Sequence, residues 1–281
     1  MADSSSCNHH CEGCSSAGSC ESKIVRSNLA NGAKIKHCIG VVSGKGGVGK
    51  SFVSSYLAVL LAKKGYRVGI LDADITGPSI PFSFGLKDKA VGNDQVIYPG
   101  ITKKLNIQII SSNMLLDNET DPIIWRGPMI GQMVDQFYSQ VFWDNLDFLL
   151  IDMPPGTGDV PLTVFQSIKI DGVVIATTPQ GLVSLIVEKS VNMANIMNIP
   201  TIGLVSNMSY VKCPKCGENI YIYGKDNVEE LAKKYNIATY ASVPFDNEIT
   251  SYVDKGNIEE LDVPYLNPIV TSIEEFAKLT K

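Results

Sequence analysis

Residues 40–51 read GVVSGKGGVGKS. From Gly44 onward the stretch fits G-x-x-x-x-G-K-[ST], with Lys50 and Ser51 in the last two places. An apolar run of strand length, residues 38–43, precedes the loop, and a helical period begins at Ser51. Gly44, Gly46, Gly47 and Gly49 let successive backbone N–H groups turn toward a single anion. The helix N-terminus adds its positive dipole end. The spacing predicts a phosphate cradle running from Gly44 through Lys45, Gly46, Gly47, Val48, Gly49 and Lys50 to Ser51. In it, Lys50 reaches the β- and γ-phosphate oxygens and Ser51 ligates Mg²⁺. The plain alternative is a glycine-rich turn, which does not require a strand before it and a helix after it.

Outward from the loop, apolar strand-length runs alternate with helix-period segments. Further strands are expected at 67–71, 105–110, 147–151, 172–176 and 201–206. Helices are expected at 51–64, 129–141, 160–168, 182–197, 228–235 and 269–279. In the first helix Val53, Leu57, Leu60 and Leu61 share one face, and Gly65 stops it. Alternating elements with fully apolar strands predict an α/β fold, a mostly parallel sheet with helices on both faces. Residues 77–104, rich in Gly and Pro, read as a long loop or a mobile insertion.

Residues 1–36 carry no hydrophobic period and read as a flexible, Cys-rich tail. The remainder, 37–281, reads as one domain. No apolar run approaches the ~18 residues that span a bilayer. The first 22 residues lack both a basic and an apolar stretch, so no signal peptide is expected. With 24 basic against 29 acidic residues, a broad nucleic-acid-binding face is disfavoured. The expectation is a cytoplasmic protein with neither a nucleic-acid nor a membrane partner.

Two acidic segments complete the site. Asp72-Ala73-Asp74 follows the second strand, and Asp152 ends the strand at 147–151, ahead of MPPGTGD (153–159). Carboxylates at the C-terminal ends of parallel strands lie at the ligand edge of the sheet. Asp152 is expected to hold Mg²⁺, Asp74 to position the attacking water, and Gly156 to donate its N–H to the γ-phosphate. Asp72 reads equally well as structural.

Seven cysteines in a cytoplasmic chain point to metal or redox chemistry rather than structural disulfides. Cys213-Pro-Lys-Cys216 is half of a four-ligand site. A second copy of the chain, or the tail's Cys11-x₂-Cys14, could supply the rest. A redox dithiol is the weakest reading, because no thioredoxin-like pattern precedes the pair. Cys7, Cys11, Cys14 and Cys20 could wrap a metal centre themselves, with His9 and His10 as spare ligands. The other reading is a metal-scavenging tail. Cys38 starts a core strand and reads as a buried small residue.

Lys45, a second lysine early in the loop, is the mark of the deviant Walker A group of P-loop NTPases, which includes MinD, ParA and the nitrogenase iron protein. More specifically, the chain resembles the Mrp/ApbC-type iron–sulfur cluster carrier ATPases. The resemblance is carried by GVVSGKGGVGKS (40–51), LDADITGPS (71–79), WRGPM (125–129), LDFLLIDMPPGTGD (146–159), SNMSY (206–210) and CPKCG (213–217). It implies a homodimer that sandwiches ATP, with Lys45 reaching the partner's phosphates and Asn207 recognising adenine. It further implies a 4Fe–4S cluster bridged by Cys213 and Cys216 of two subunits, slow ATP hydrolysis, and apo iron–sulfur proteins as clients. The tail is similar to the family's cysteine-rich extension at Cys11, Cys14 and Cys20. It departs from the eukaryotic form in that Cys7 lies only four residues before Cys11. Two rivals stand beside this reading: a MinD/ParA-like positional ATPase and an ATPase with a structural zinc knuckle. The first needs a basic amphipathic surface helix. The C-terminal segment 272–281, with Glu274 and Glu275 beside Ile273, Phe276 and Leu279, reads instead as packing on the domain.

Overall fold

The computed structural model describes residues 27–280 apart from 76, 94–95, 116–126 and 181–182. In chain order the elements begin with β1 (Ile35–Val42), α1 (Lys50–Lys63), β2 (Val68–Asp72), α2 (Ile80–Ser83), β3 (Val91–Gly92), β4 (Ile97–Tyr98), β5 (Gly100–Ile101) and β6 (Gln108–Ile110). They continue with α3 (Gly127–Ser139), β7 (Leu146–Asp152), α4 (Asp159–Ser167), β8 (Gly172–Thr177), α5 (Val183–Ile196) and β9 (Thr201–Ser206). The last are β10 (Val211–Lys212), β11 (Asn219–Ile220), α6 (Val228–Lys234), β12 (Tyr240–Ser242), α7 (Asn247–Asp254) and α8 (Asn267–Leu279).

Eight strands form one sheet in the order β12-β9-β8-β1-β7-β2-β6-β5. All neighbours pair in parallel except β5, which runs antiparallel to β6 at the edge. The expected α/β architecture is therefore present. Alternation along the strands fills two core layers. Ile39, Val41, Phe148 and Leu150 face one side, with Leu57 of α1 and Ile273 of α8. Cys38, Val42, Leu149 and Ile151 face the other, with Phe137, Phe165 and Val187 of α3, α4 and α5. Strands buried on both faces must be apolar throughout, which is why they read as continuous runs. β1 sits where the strand order reverses, with β7 on one side and β8 on the other. Ligands of open α/β sheets bind at that point, beyond the C-terminal strand ends.

Several expectations need adjustment. The segment 77–104 is not one irregular loop, because it holds α2, the antiparallel pair β3–β4, and β5. These elements are two to four residues long, too short to show a period. The expected strand at 105–110 forms only at Gln108–Ile110. β12 and α7 had no counterpart in the sequence reading. The signal for α7 was Asp246, whose carboxylate accepts the Glu248 N–H at 2.8 Å as an N-cap. The first helix is buried nearly all round, with Ser54, Tyr56, Ala58 and Val59 inside as well as the expected face. The C-terminal segment covers its outer side. There the Tyr56 hydroxyl accepts the Val263 N–H and donates to the Val263 carbonyl, both at 2.8 Å.

The last helix also packs inward, with Ile269, Val270 and Ile273 fully buried. No helix among the described residues is long and apolar enough to cross a membrane. Ahead of residue 37, the Ser27 N–H donates to the Ser167 carbonyl and the Lys34 N–H to that of Trp143, and β1 starts at Ile35.

Tyr56→Phe leaves both Val263 backbone groups without this partner. It is expected to lower stability by about 1–3 kcal/mol. The check is denaturant unfolding, in which the midpoint falls while the slope is unchanged.

Candidate functional site

The loop between β1 and α1 has the geometry its sequence requires. Gly47 (φ 75°) and Gly49 (φ 77°) adopt the left-handed backbone open to glycine. Helix α1 starts at Lys50 with no side-chain cap and no acidic residue in its first turn. Its first N–H groups are left for an anion. Gly44 is needed for a different reason, since a Cβ there would collide with Ile186 of α5.

Asp152 at the end of β7 is fully buried, and three side chains converge on it. Lys50 Nζ lies 2.8 Å from its Oδ2. Ser51 Oγ donates to the same oxygen at 2.7 Å, and Ser54 Oγ donates to Oδ1 at 2.6 Å. Lys50 is itself buried and lies 3.9 Å from Asp74 Oδ2. The two hydroxyls and the carboxylate are hard oxygen donors of the kind Mg²⁺ takes, so Ser51 and Asp152 fit the ion. Ser54 was not singled out in the sequence. Its signal was its place three residues after Ser51, on the same helical face.

Asp72 and Asp152 are register partners on β2 and β7. Ser111 Oγ donates to Asp72 Oδ2 at 2.9 Å, and the Asp74 N–H to Asp72 Oδ1 at 3.2 Å. Asp72 thus anchors the turn that presents Asp74. Burial, together with the Asp152 carboxylate beside it, pushes the Asp72 carboxyl up to about 8, against the pull of Lys50 and the Ser111 hydrogen bond.

Three expected contacts are engaged elsewhere in this conformation. The Gly156 N–H donates to the Ser43 carbonyl at 2.8 Å, so it is not offered to a phosphate here. Lys45 Nζ hydrogen-bonds Gln180 Oε1 of its own chain, a partner that no local pattern singles out. Asn207 Nδ2 donates to the Val48 carbonyl at 3.0 Å, which commits one of its amide hydrogens to the loop.

Cys213 and Cys216 cap the short ribbon β10–β11. The Cys213 N–H donates to the Glu218 carbonyl at 2.8 Å, and the Gly217 N–H to the Cys213 carbonyl at 2.9 Å. Backbone N–H groups of Cys216 and Lys215, with the Cys216 thiol, hold the Cys213 thiol below the usual range. That favours the thiolate, which is the ligating form. Cys216 is exposed. Among the described residues no group of three or more His, Cys, Asp or Glu is placed to hold a metal ion. The pair therefore offers two ligands and an open side. Cys38 is the contrast, a buried thiol pushed up by burial and the Asp171 carboxylate. Cys7, Cys11, Cys14 and Cys20 lie outside the described residues, as do Trp125 and Arg126. A cavity of about 390 Å³ between α2 and the end of α7, lined by Phe82, Leu86, Lys87 and Lys255, contains none of these site residues.

A family profile described as "ParA: NUBPL iron-transfer P-loop NTPase" matches residues 34–278. An iron–sulfur cluster carrier protein of Clostridium perfringens is 43% identical over 94% of this chain and 95% of its own length. One from Methanocaldococcus jannaschii is 40% identical over 98% and 95%. The ADP complex of a nucleotide-binding protein from Archaeoglobus fulgidus superposes with a TM-score of 0.74 at 45% identity, covering 82% of this chain and 90% of that one. The cell division ATPase MinD of Pyrococcus furiosus shares the fold at TM-score 0.60 and 21% identity, over 87% of this chain and 99% of its own.

A carboxyl that keeps its proton up to about pH 8 when folded, but releases it near 3.8 when unfolded, binds more protons in the folded chain across that window. Stability then falls as pH rises through the window. Asp72→Asn keeps an oxygen for Ser111 and removes the titration. The variant's melting temperature is expected to decline less than the wild type's between about pH 5 and 8. Thermal denaturation across that range checks it, and parallel curves would contradict the assignment.

Proposed function

This chain belongs to the NUBPL iron-transfer P-loop NTPases, and from that premise we propose that it is an ATP-hydrolysing carrier that holds a 4Fe–4S cluster between two copies of itself and passes it to apo-proteins. The observation that carries this reading is the pair Cys213 and Cys216. It sits on a surface ribbon, supplies two thiols, and has its first thiol held below the usual thiol range by neighbouring N–H groups. A cluster takes four thiolates. A two-fold axis through the ribbon tip supplies the other two from the same residues of a second copy.

The phosphate site supports slow hydrolysis. Mg²⁺ held by Ser51 and Asp152 supplies charge neutralisation on the phosphate oxygens. Lys50, now paired with Asp152, is within the same cluster and turns to the β- and γ-phosphates. Asp74, presented by the Asp72 anchor, orients the attacking water. Lys45 must leave Gln180 to reach a partner's phosphates, so the tether favours the unpaired chain. In this reading Asn207 keeps its second amide hydrogen and its oxygen for adenine, an edge that both donates and accepts.

The same reading makes residues 1–36 a Cys-rich extension of the ATPase unit 37–281. Cys7, Cys11, Cys14 and Cys20 add thiols of the same chemistry. The carrier works in the cytoplasm, and apo iron–sulfur proteins are its clients. Ile269 and Ile273 of α8 pack inward and leave Leu279 at its end as the exposed apolar residue of the stripe, which favours the carrier over a positional ATPase.

Anaerobically purified chain is expected to carry about two iron and two sulfide per chain, one 4Fe–4S cluster per dimer. Cys213→Ser or Cys216→Ser removes that complement while ATP binding persists. Stoichiometric zinc without sulfide would overturn the cluster reading and leave a structural knuckle. Lys45→Ala is expected to abolish ATP-dependent dimerisation, read by light scattering.

A further inference from the structure

The phosphate loop and the cysteine ribbon are joined by one short piece of chain. β9 ends at Ser206, and Cys213 follows seven residues later. The segment between them touches the loop at its start and carries the ribbon at its end.

At the start, Asn207 Nδ2 donates to the Val48 carbonyl. In a trans peptide the carbonyl and the following N–H point in opposite directions. Holding the Val48 oxygen therefore aims the Gly49 N–H the other way, into the cradle. The fit is close. A Cβ on Gly49 would collide with Asn207 Nδ2 and lie 3.5 Å from Met208 Cε. The Asn207 N–H donates to the Thr177 carbonyl at 2.8 Å, so the clamp is braced on β8.

Met208 then takes φ 55°, the left-handed backbone that a side chain with a Cβ disfavours. After this bend the chain is tied again. The Ser209 N–H and Oγ both donate to the Val243 carbonyl at 2.9 Å, and the Phe245 N–H donates to the Tyr210 carbonyl at 2.8 Å. β10 begins at the next residue. The bend at Met208 is thus the joint between a residue clamped to the phosphate loop and a short stretch, held at Val243 and Phe245, that leads directly into the ribbon.

We propose that Asn207 and Met208 are positioning residues that transmit nucleotide occupancy to Cys213 and Cys216 within a single chain. An anion accepting from the Gly49 N–H polarises the 48–49 peptide and strengthens the Asn207 bond on its other side. The bond pulls on the residue before the bend, and the bend carries the change to the ribbon. The proposal rests on the nucleotide-binding part of the function above and needs no cluster.

The test uses the full chain freed of metal by chelation. Cys213 and Cys216 are alkylated with iodoacetamide and resolved by peptide mass, with and without saturating Mg–ADP. The wild-type rate at Cys213 is expected to change by about fivefold or more on ADP binding. Met208→Gly, which relaxes the bend, is expected to bind ADP with wild-type affinity and lose that change. Asn207→Ala is expected to lose the change and also to weaken binding of Mg–pyrophosphate, which carries no adenine, about tenfold, since the Gly49 N–H is no longer held. Unaltered alkylation in wild type on ADP binding, a full wild-type change in Met208→Gly, or wild-type pyrophosphate affinity in Asn207→Ala overturns the proposal. A chain that shows the change but never binds iron and sulfide would keep this coupling and discard the cluster reading.

Discussion

The buried Asp152 carboxylate is the constraint on which the rest of the site is organised. A charge with no solvent contact is stable only if it is paired and hydrogen-bonded. Lys50, Ser51 and Ser54 meet that need from one helix, while Asp152 itself ends a central strand. Satisfying one carboxylate therefore ties the start of α1, and with it the end of the phosphate loop, to the end of β7. Removing one partner of such a pair costs about 3–5 kcal/mol, because the other charge stays buried. Ser51 Oγ and the Asp152 carboxylate already stand side by side, while Lys50 is held against Asp152.

The second carboxylate, Asp72, shows how parallel pairing creates chemistry. Its register with Asp152 brings two acids together at the sheet's ligand edge. Their repulsion, added to burial, pushes Asp72 up to about 8. A largely protonated Asp72 can hold Ser111 and the Asp74 N–H without adding a full charge beside Asp152. Whether Asp72 was structural or catalytic was open in the sequence, and its contacts make it the anchor of the Asp74 turn.

The strand scaffold also sets the path of the chain between the phosphate loop and the cysteine ribbon. The phosphate loop leaves β1 and the cysteine ribbon leaves the β9 end, with β8 between them in the sheet. The return of Asn207 to the Val48 carbonyl closes that gap. The αL turn at Met208 directs the chain away again toward the ribbon. Lys45 and Gln180 make a second contact near the same edge, between the loop and the segment after β8.

Much of this was legible in the linear order of residues, because the relevant physics is local. Apolar runs marked the strands, since burial on two faces leaves no polar positions. The glycines of the loop marked themselves, because left-handed backbone and close approach exclude side chains. Lys50, Ser51, Asp74, Asp152, Cys213 and Cys216 were identified by spacing and by resemblance, and the fold brings the first four together. What the sequence left undecided depends on partners distant in the chain. Gly156 had a free N–H on paper, but Ser43, more than a hundred residues earlier, accepts it. Ser54, Gln180 and the Val48 partner of Asn207 are likewise contacts across strands. The short elements within 77–104, together with β12, are held by pairing to neighbours rather than by their own period. Local stereochemistry and hydrophobic patterning thus determined the fold class and which side chains are candidates for the site. Long-range packing alone decided which oxygen, nitrogen or sulfur each of them faces.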